Sequence, residues 1–115
     1  MPRFLAVYTM KPADLAAFLA RPEAEQDAID EAGLKAWAEW RERHAAAVVG
    51  ADVMVGKTKR VTRAGIADAE NPIAGFLLVE AADIDAAARL FRDHPHITVF
   101  PGDGIDVMPV VSEPS

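Results

Sequence analysis

The residues best suited to chemistry in this chain are its three histidines. Two of them, His94 and His96, flank Pro95 and follow Asp93, so two imidazoles and a carboxyl group lie close together in the sequence. The third, His44, lies near the end of a long helical pattern. An imidazole near a carboxylate has a pKa that its surroundings can tune, which suits it to acid–base catalysis. We therefore predict that His44, Asp93 and His96 are the catalytic residues.

Two of the histidines, His44 and His94, also have a purely structural interpretation. His44 shares a helical stripe with Trp37 and Trp40, where a buried imidazole needs a hydrogen-bond partner such as a backbone carbonyl. His94 falls in the last turn of a predicted helix and could simply interact favourably with the helix dipole. A His-x-His element beside a carboxylate could hold zinc or iron, but the spacing is unspecific and few other ligands exist, so we expect no metal site.

Tyr8, Trp37, Lys57 and His94 are the predicted substrate-binding residues. Tyr8 ends the first predicted strand and, with Trp37, could line the same cavity as the histidines, although such rings are more often plain core. Lys57 belongs to the only basic cluster of an acidic chain. It could orient a carboxylate or phosphate through charge-assisted hydrogen bonds, or it could lie on a solvated strand edge that prevents edge pairing.

The motifs of several enzyme classes do not occur in this sequence. Gly50 and Gly56, which precedes Lys57, are separated by five residues where the phosphate-binding P-loop requires four. There is no Gly-x-Ser-x-Gly elbow, no zincin motif and no Gly-x-Gly-x-x-Gly. We therefore set aside nucleotide hydrolysis, serine hydrolase, zincin and dinucleotide-binding functions, and we expect no cofactor.

Hydrophobic periodicity predicts the elements that position these residues. Apolar or β-favouring runs predict strands over residues 3–9, 52–55, 60–63, 75–81 and 105–110, and a short extended run over 97–100. Apolar residues at helical spacing predict helices over residues 14–20 and 25–49, the latter ended by Gly50 in a positive-φ conformation. A third helix is predicted to be capped by Asp83 and stopped by Pro95, and residues 64–72 are predicted to be a polar loop.

The resulting order of strand, long helix, two strands, helix and strand is the split βαβ plan of ferredoxin-like folds. The predicted fold class is thus α+β, with a four-stranded, mainly antiparallel sheet. Its helices would cover one face of the sheet, although the strands over residues 3–9 and 75–81 are apolar on both faces. A bare face would expose an apolar patch on the order of several hundred Å². We therefore expect a homodimer that packs two sheets back to back.

Length and charge narrow the function further. A chain of 115 residues suits one domain, predicted over residues 1–111 with a tail over 112–115. The net charge of −6 argues against nucleic acid as a partner, and no apolar run approaches the roughly 20 residues that span a bilayer. A strand-like run begins at once, without room for a signal peptide, so we expect a cytoplasmic protein. The chain has no cysteine, which excludes disulfides and a cysteine nucleophile.

Several short motifs together resemble a known family. They are Lys57-Thr58-Lys59 after Gly56, the segment from Asn71 to Phe76, the crossover from Val79 to Asp83, and Asp93-His94-Pro95-His96 ahead of residues 105–107. Over roughly residues 4–110, the chain resembles the YCII-related family, specifically its DGPF-like branch. Arg43-His44 resembles the helix histidine of YciI-like proteins.

The resemblance implies a dimeric α+β barrel, which agrees with the dimer expected from the bare sheet face. It also implies a pocket that contains a helix histidine and an Asp-Pro or Pro-His element, here His44, Asp93, Pro95 and His96. The chain departs from the simplest pattern because His94 intervenes between Asp93 and Pro95. Because of this departure, His96 is a stronger candidate for a functional role than Asp93.

Two functions follow from these patterns. The first is a small dimer with a pocket for an organic metabolite and His/Asp acid–base chemistry of lyase, isomerase or hydrolase type. The alternative is a non-catalytic module for ligand sensing or protein interaction, and the sequence does not decide whether the protein is an enzyme. A cavity that touches both His44 and His96 would favour the first, whereas closed packing around both would favour the second.

Overall fold

A computed structural model describes residues 1–112, so residues 113–115 of the predicted tail lie outside the described part of the chain. The strands are β1 (Arg3–Thr9), β2 (Val48–Met54), β3 (Thr58–Thr62), β4 (Gly65–Ala69), β5 (Ile73–Glu80) and β6 (Gly104–Pro109). The helices are α1 (Pro12–Leu19), α2 (Glu23–Arg43), α3 (Ile84–Leu90) and α4 (Pro95–Thr98).

Four of the strands form one antiparallel sheet in the order β2-β5-β1-β6. Its central strand pair places Tyr8 opposite Gly75, and the edge strand β6 places Ile105 on the other side of Tyr8. This strand order is that of a ferredoxin-like fold. The β3–β4 hairpin is inserted in the chain between β2 and β5. The predicted fold class is confirmed.

One face of the sheet packs against the helices. Alternate residues of β1, Phe4, Ala6 and Tyr8, are buried there, because successive side chains of a strand point to opposite faces. Trp40 of α2 and Phe91 after α3 belong to the same core. The indole nitrogen of Trp40 donates a 2.9 Å hydrogen bond to the carbonyl of Leu90, which ties α2 to the end of α3.

The opposite face of the sheet is also apolar. Cross-strand neighbours share a face, and the residues paired on this face are largely hydrophobic: Leu5, Val7, Val49, Val53, Phe76, Leu78 and Met108. Among the residues that the structure describes, the core cluster and the side chains packed against it come from the helical side. This apolar face is referred to below as the open face.

Helix α2 is shorter than its sequence pattern predicts. It ends at Arg43, where His44 follows and donates its backbone N–H to the carbonyl of Trp40. The predicted helix end at Gly50 is wrong, because Val48 and Val49 pair with β5 and extend β2 instead. Gly50 does have a positive φ of 76°, but it lies within β2, where the pairing register with β5 shifts.

The β3–β4 hairpin replaces a predicted loop. Residues 65–69 form β4, which pairs with β3 so that Val61 lies opposite Ile66, and these two side chains are 72% and 71% exposed. The loop prediction failed because both faces of the hairpin meet solvent, which removes the alternation that marks a half-buried strand.

Lys57 lies in the connection from β2 to β3. This connection is not a hairpin turn, because the two strands belong to different sheets.

The segment around Pro95 also differs from its prediction. The cap at Asp83 is confirmed, since Asp83 Oδ1 accepts a 2.8 Å hydrogen bond from the Ala86 backbone. However, α3 already ends at Leu90, and Pro95 begins the one-turn helix α4 where an extended run was predicted. Proline favours the first position of a helix because it has no N–H to leave unpaired.

Within residues 1–112, every helix is too short or too polar to cross a bilayer.

Candidate functional site

A cavity of about 440 Å³ opens between α2, β2 and the chain around α4, a volume within the range of small-molecule sites. Its walls are mostly apolar and are formed by Met10, Leu34, Trp37, Ala38, Met54, Ala74 and Phe100. Its polar lining residues are Arg41, Asp52 and His96. The site is thus an apolar space with a few polar groups on its wall.

A glycine on α2 allows Phe100 to form part of this wall. Gly33 is buried, and a Cβ atom built at this position would overlap the Phe100 ring. The ring centroids of Phe100 and Trp37 are 6.1 Å apart in an edge-to-face arrangement. Close approach of Phe100 to the helix backbone therefore sets one side of the cavity.

Asp52 collects three hydrogen bonds from side chains of β1 and α2. Its Oδ1 accepts from the Tyr8 hydroxyl at 2.5 Å, and its Oδ2 accepts from Trp37 Nε1 at 3.1 Å and from Arg41 Nη1 at 2.8 Å. The Asp52 side chain is only 15% exposed. The second guanidinium nitrogen of Arg41, Nη2, donates to the carbonyl of Gly50 at 3.0 Å. The carboxylate is thus held in one orientation at the cavity wall.

Tyr8 acts as a donor in this cluster. Burial raises the pKa of its hydroxyl well above the ordinary value, and the hydrogen bond to Asp52 and the charge of that carboxylate raise it further. Tyr8 therefore stays protonated, and its hydroxyl donates a hydrogen bond to Asp52.

His96 lies on α4 and presents a buried imidazole at the cavity wall. Its Nε2 lies 2.7 Å from the carbonyl oxygen of Thr9. Because a carbonyl can only accept, Nε2 carries the proton, and Nδ1 holds the lone pair when the ring is neutral. Burial lowers the pKa of His96, and the hydrogen bond to Thr9 and the carboxyl group of Asp103 only partly oppose this shift. The ring is therefore neutral at pH 7 and able to accept a proton.

His94 is fully buried next to this site but is not a lining residue of the cavity. Its Nδ1 accepts a 3.0 Å hydrogen bond from the backbone N–H of His96, so its proton lies on Nε2. Among residues 1–112, no hydrogen-bond partner reaches that Nε2. The rings of Trp37 and Trp40 lie nearest, with centroids 4.3 Å and 4.6 Å from that of His94. Burial lowers the pKa of His94 to about 4.

The structure brings together only some of the residues predicted to form the site. His96 and Trp37 line the cavity, and Tyr8 reaches it through Asp52. His44 packs against Trp40 at a centroid distance of 4.9 Å and is not a lining residue. It therefore does not share this cavity with His96.

Two other predicted site residues lie away from the cavity. The Asp93 side chain is 66% exposed and pairs with Arg43 at 3.2 Å. Lys57 is exposed in the connection after β2 and does not line the cavity. Within residues 1–112, no group of three His, Asp or Glu side chains is placed to hold a metal ion.

Asp52 and Arg41 are site residues that sequence reasoning missed. Asp52 is the one charged residue in the otherwise apolar and small run from Val48 to Val55. Arg41 follows Trp37 by four residues and therefore lies on the same side of α2. A carboxylate inside an apolar strand and a cation on the apolar stripe of a helix were the available signals.

No protein-family model matches the chain, and no curated protein matches it. The chain is similar to 5-chloro-2-hydroxyhydroquinone dehydrochlorinase (TftG) from Burkholderia phenoliruptrix AC1100, solved in complex with 2,5-dihydroxybenzoquinone. The two share 16% sequence identity with a TM-score of 0.49, over 92% of this chain and 90% of the other. At this level of similarity, nothing about the function of this chain follows.

Proposed function

We propose that this protein binds a small organic molecule in the cavity beside α2, and that His96 is its acid–base residue. The observation that carries the proposal is an apolar cavity of about 440 Å³ whose polar lining includes a buried imidazole. Apolar walls bind the body of an organic ligand, while a few polar groups orient it.

The protonation state of His96 favours the role of a general base. With Nε2 donating to Thr9, the lone pair lies on Nδ1, and the lowered pKa keeps the ring unprotonated at neutral pH. Such a group can remove a proton from a bound molecule, as lyase and isomerase reactions require. Asp93 and His44 are left out of this role, because Asp93 faces solvent and His44 packs elsewhere on Trp40.

We further propose that the protein is a homodimer formed through the open face. Residues such as Leu5, Val7, Phe76 and Leu78 would otherwise leave an apolar sheet face in contact with water. A second copy offers the same apolar face, so a two-fold arrangement covers both at once. The resemblance to the YCII-related family favours the same assembly.

Binding can be tested with the two tryptophans of the chain. The Trp37 indole lies at the cavity and donates to Asp52, whereas the Trp40 indole is buried and donates to Leu90. In ¹⁵N-labelled protein, compounds from a library of small aromatic and alicyclic molecules should shift the Trp37 indole signal and leave that of Trp40 in place. Assignment of the two signals requires only a Trp37→Phe variant.

A cavity-blocking variant makes this test specific. Ala38→Phe places a ring at the cavity, whereas the control Ala28→Phe makes the same change on an exposed part of the same helix. We expect binding to be lost only in Ala38→Phe. Equal binding in both variants would refute the cavity as the site.

Catalysis is tested separately on compounds that bind. If His96 is the base, His96→Gln removes turnover while the Trp37 shift on binding remains. Binding without turnover in the wild type would instead identify a non-catalytic ligand-binding module.

A further inference from the structure

The charges at the cavity wall are already balanced. Arg41 donates one hydrogen bond from Nη1 to Asp52 and one from Nη2 to the carbonyl of Gly50. His96 adds no charge while it is neutral. An anionic ligand that took an unused N–H of Arg41 would lie close to the Asp52 carboxylate, whose like charge opposes it. Because Asp52 already neutralises the only cation on the wall within residues 1–112, we expect the site to favour uncharged ligands over carboxylates and phosphates.

Asp52 has capacity for one more hydrogen bond. The two oxygens of a carboxylate offer about four acceptor positions. Tyr8, Trp37 and Arg41 occupy three of them, and Asp52 itself lines the cavity. Because these three donors fix the carboxylate, it can accept a bond from a ligand without first being ordered.

The composition of the walls favours an aromatic ring. Trp37 and Phe100 offer aromatic surfaces, and the thioethers of Met10 and Met54 are also lining groups. Aromatic rings pack well in edge-to-face or offset geometry, and methionine sulfur makes favourable contacts with ring edges.

From these contacts, we propose that Asp52 is the ligand-recognition residue of the cavity, accepting a hydrogen bond from the hydroxyl group of an uncharged aromatic ligand. This inference rests on the proposed function, since it names the ligand class for the same cavity. It assigns a binding role to a residue that sequence patterns did not single out.

The test compares three naphthalenes that share one ring system. At pH 7, 2-naphthol is an uncharged donor, 2-methoxynaphthalene has no donor, and 2-naphthoate is an anion. Each is titrated into wild-type protein while the Trp37 indole signal is followed and that of Trp40 serves as the internal reference. We expect 2-naphthol to bind about tenfold more tightly than 2-methoxynaphthalene, because it adds a hydrogen bond to a charged acceptor. We expect 2-naphthoate to bind more weakly than either.

The Asp52→Asn variant should reduce the preference for 2-naphthol to about threefold or less, because a neutral acceptor gives a weaker hydrogen bond. Asp68→Asn, on the exposed hairpin, should retain the full preference. If Asp52→Asn does not fold, the titrations are repeated in His96→Phe, which lacks the other acceptor on the cavity wall. Retention of the preference there supports Asp52 as the acceptor, whereas its loss would assign the hydrogen bond to His96 and overturn the proposal.

The outcomes separate this inference from the proposed function. Equal wild-type affinities for 2-naphthol and 2-methoxynaphthalene, or tighter binding of 2-naphthoate, would overturn the role of Asp52 while a binding cavity remained. If none of the three moved the Trp37 signal and no library compound did so, the proposed function itself would fail.

Discussion

The backbone N–H of His96 donates a hydrogen bond to Nδ1 of His94, at 3.0 Å. One histidine thus caps the helix that carries the other, and the cap requires an unprotonated Nδ1. A protonated His94 would turn a donor toward the N–H of His96 and break this bond. The neutral state of His94 and the position of His96 are therefore linked.

We predict that the protein loses stability as the pH falls from 6.5 toward 4. The pKa of His94 is lowered from 6.5 to about 4 in the folded protein, chiefly by burial, and that of His96 is lowered too. Between these values the unfolded chain binds more protons than the folded one, so the free energy of unfolding rises with pH. The free energy of unfolding therefore has its full value above pH 6.5 and falls on acidification. The loss due to His94 is at most on the order of 3 kcal/mol, at about 1.4 kcal/mol per pKa unit.

Urea titrations at pH 7 and pH 5 measure this loss. Carboxyl groups also titrate in acid, so the informative quantity is the difference between the wild type and His94→Asn, which lacks the buried imidazole. We expect a smaller loss of stability in His94→Asn. An equal pH dependence in both proteins would contradict the prediction.

The capping role of His94 is tested by two replacements. Both His94→Asn and His94→Ala remove the packed ring, at a cost of roughly 3 kcal/mol for an aromatic side chain in a core. Asparagine can still accept the hydrogen bond from His96, whereas alanine cannot. We expect His94→Ala to be less stable than His94→Asn by about 1 kcal/mol, measured by urea unfolding. Equal stabilities would show that the cap contributes nothing.

Gly102 is expected to be required for the position of His96. A Cβ atom at this position would overlap both the His96 ring and its carbonyl oxygen, which accepts a hydrogen bond from the Gly102 backbone. We predict that Gly102→Ala lowers the free energy of unfolding by about 1–3 kcal/mol, typical of overpacking, and shifts the His96 imidazole signals in NMR spectra. The control is Gly56→Ala, since a Cβ atom at Gly56 meets no other atom. Similar effects of the two changes would argue against close packing at Gly102.

The open face provides the test of the homodimer. Phe76 lies on this face, paired with Val7, so Phe76→Asp would place an unpaired charge in the interface. We expect sedimentation at low micromolar concentration to show a dimer for the wild type and a monomer or aggregate for this variant. Val61→Asp, on the exposed hairpin, should leave the dimer unchanged. A stable, soluble wild-type monomer would exclude the proposed assembly.

The structure also decides which charge substitution is informative for the dimer. The sequence alone left open whether Phe76 or Leu77 faces a partner, because both belong to a continuous apolar run. Leu77 is fully buried in the core beneath the helices, so Leu77→Asp would disrupt the fold and not the interface. Neighbouring strand residues point to opposite faces, but only the pairing register shows which face each one occupies.

The sequence by itself determined the elements whose signals are local. Strand β1, the cap at Asp83 and strand β6 follow from apolar patterning and from side chains that bond their own backbone, as the structure confirms. His96 and Trp37 could also be predicted as candidate site residues from their types and spacing. These features depend on a few neighbouring residues, so the sequence contains the information needed to recognise them.

The tertiary structure decided the features that depend on distant partners. Helix α2 ends at Arg43 because Val48 and Val49 pair with a strand about thirty residues further along the chain. The carboxyl of Asp93 turns outward to Arg43, whereas Asp52 becomes the centre of the site through Tyr8, 44 residues away. The hydrogen-bond donors that a carboxylate pairs with are those that the fold places within hydrogen-bonding distance. The sequence shows the two carboxyl groups, and only the packing of α2 on the sheet selects the one that lines the cavity.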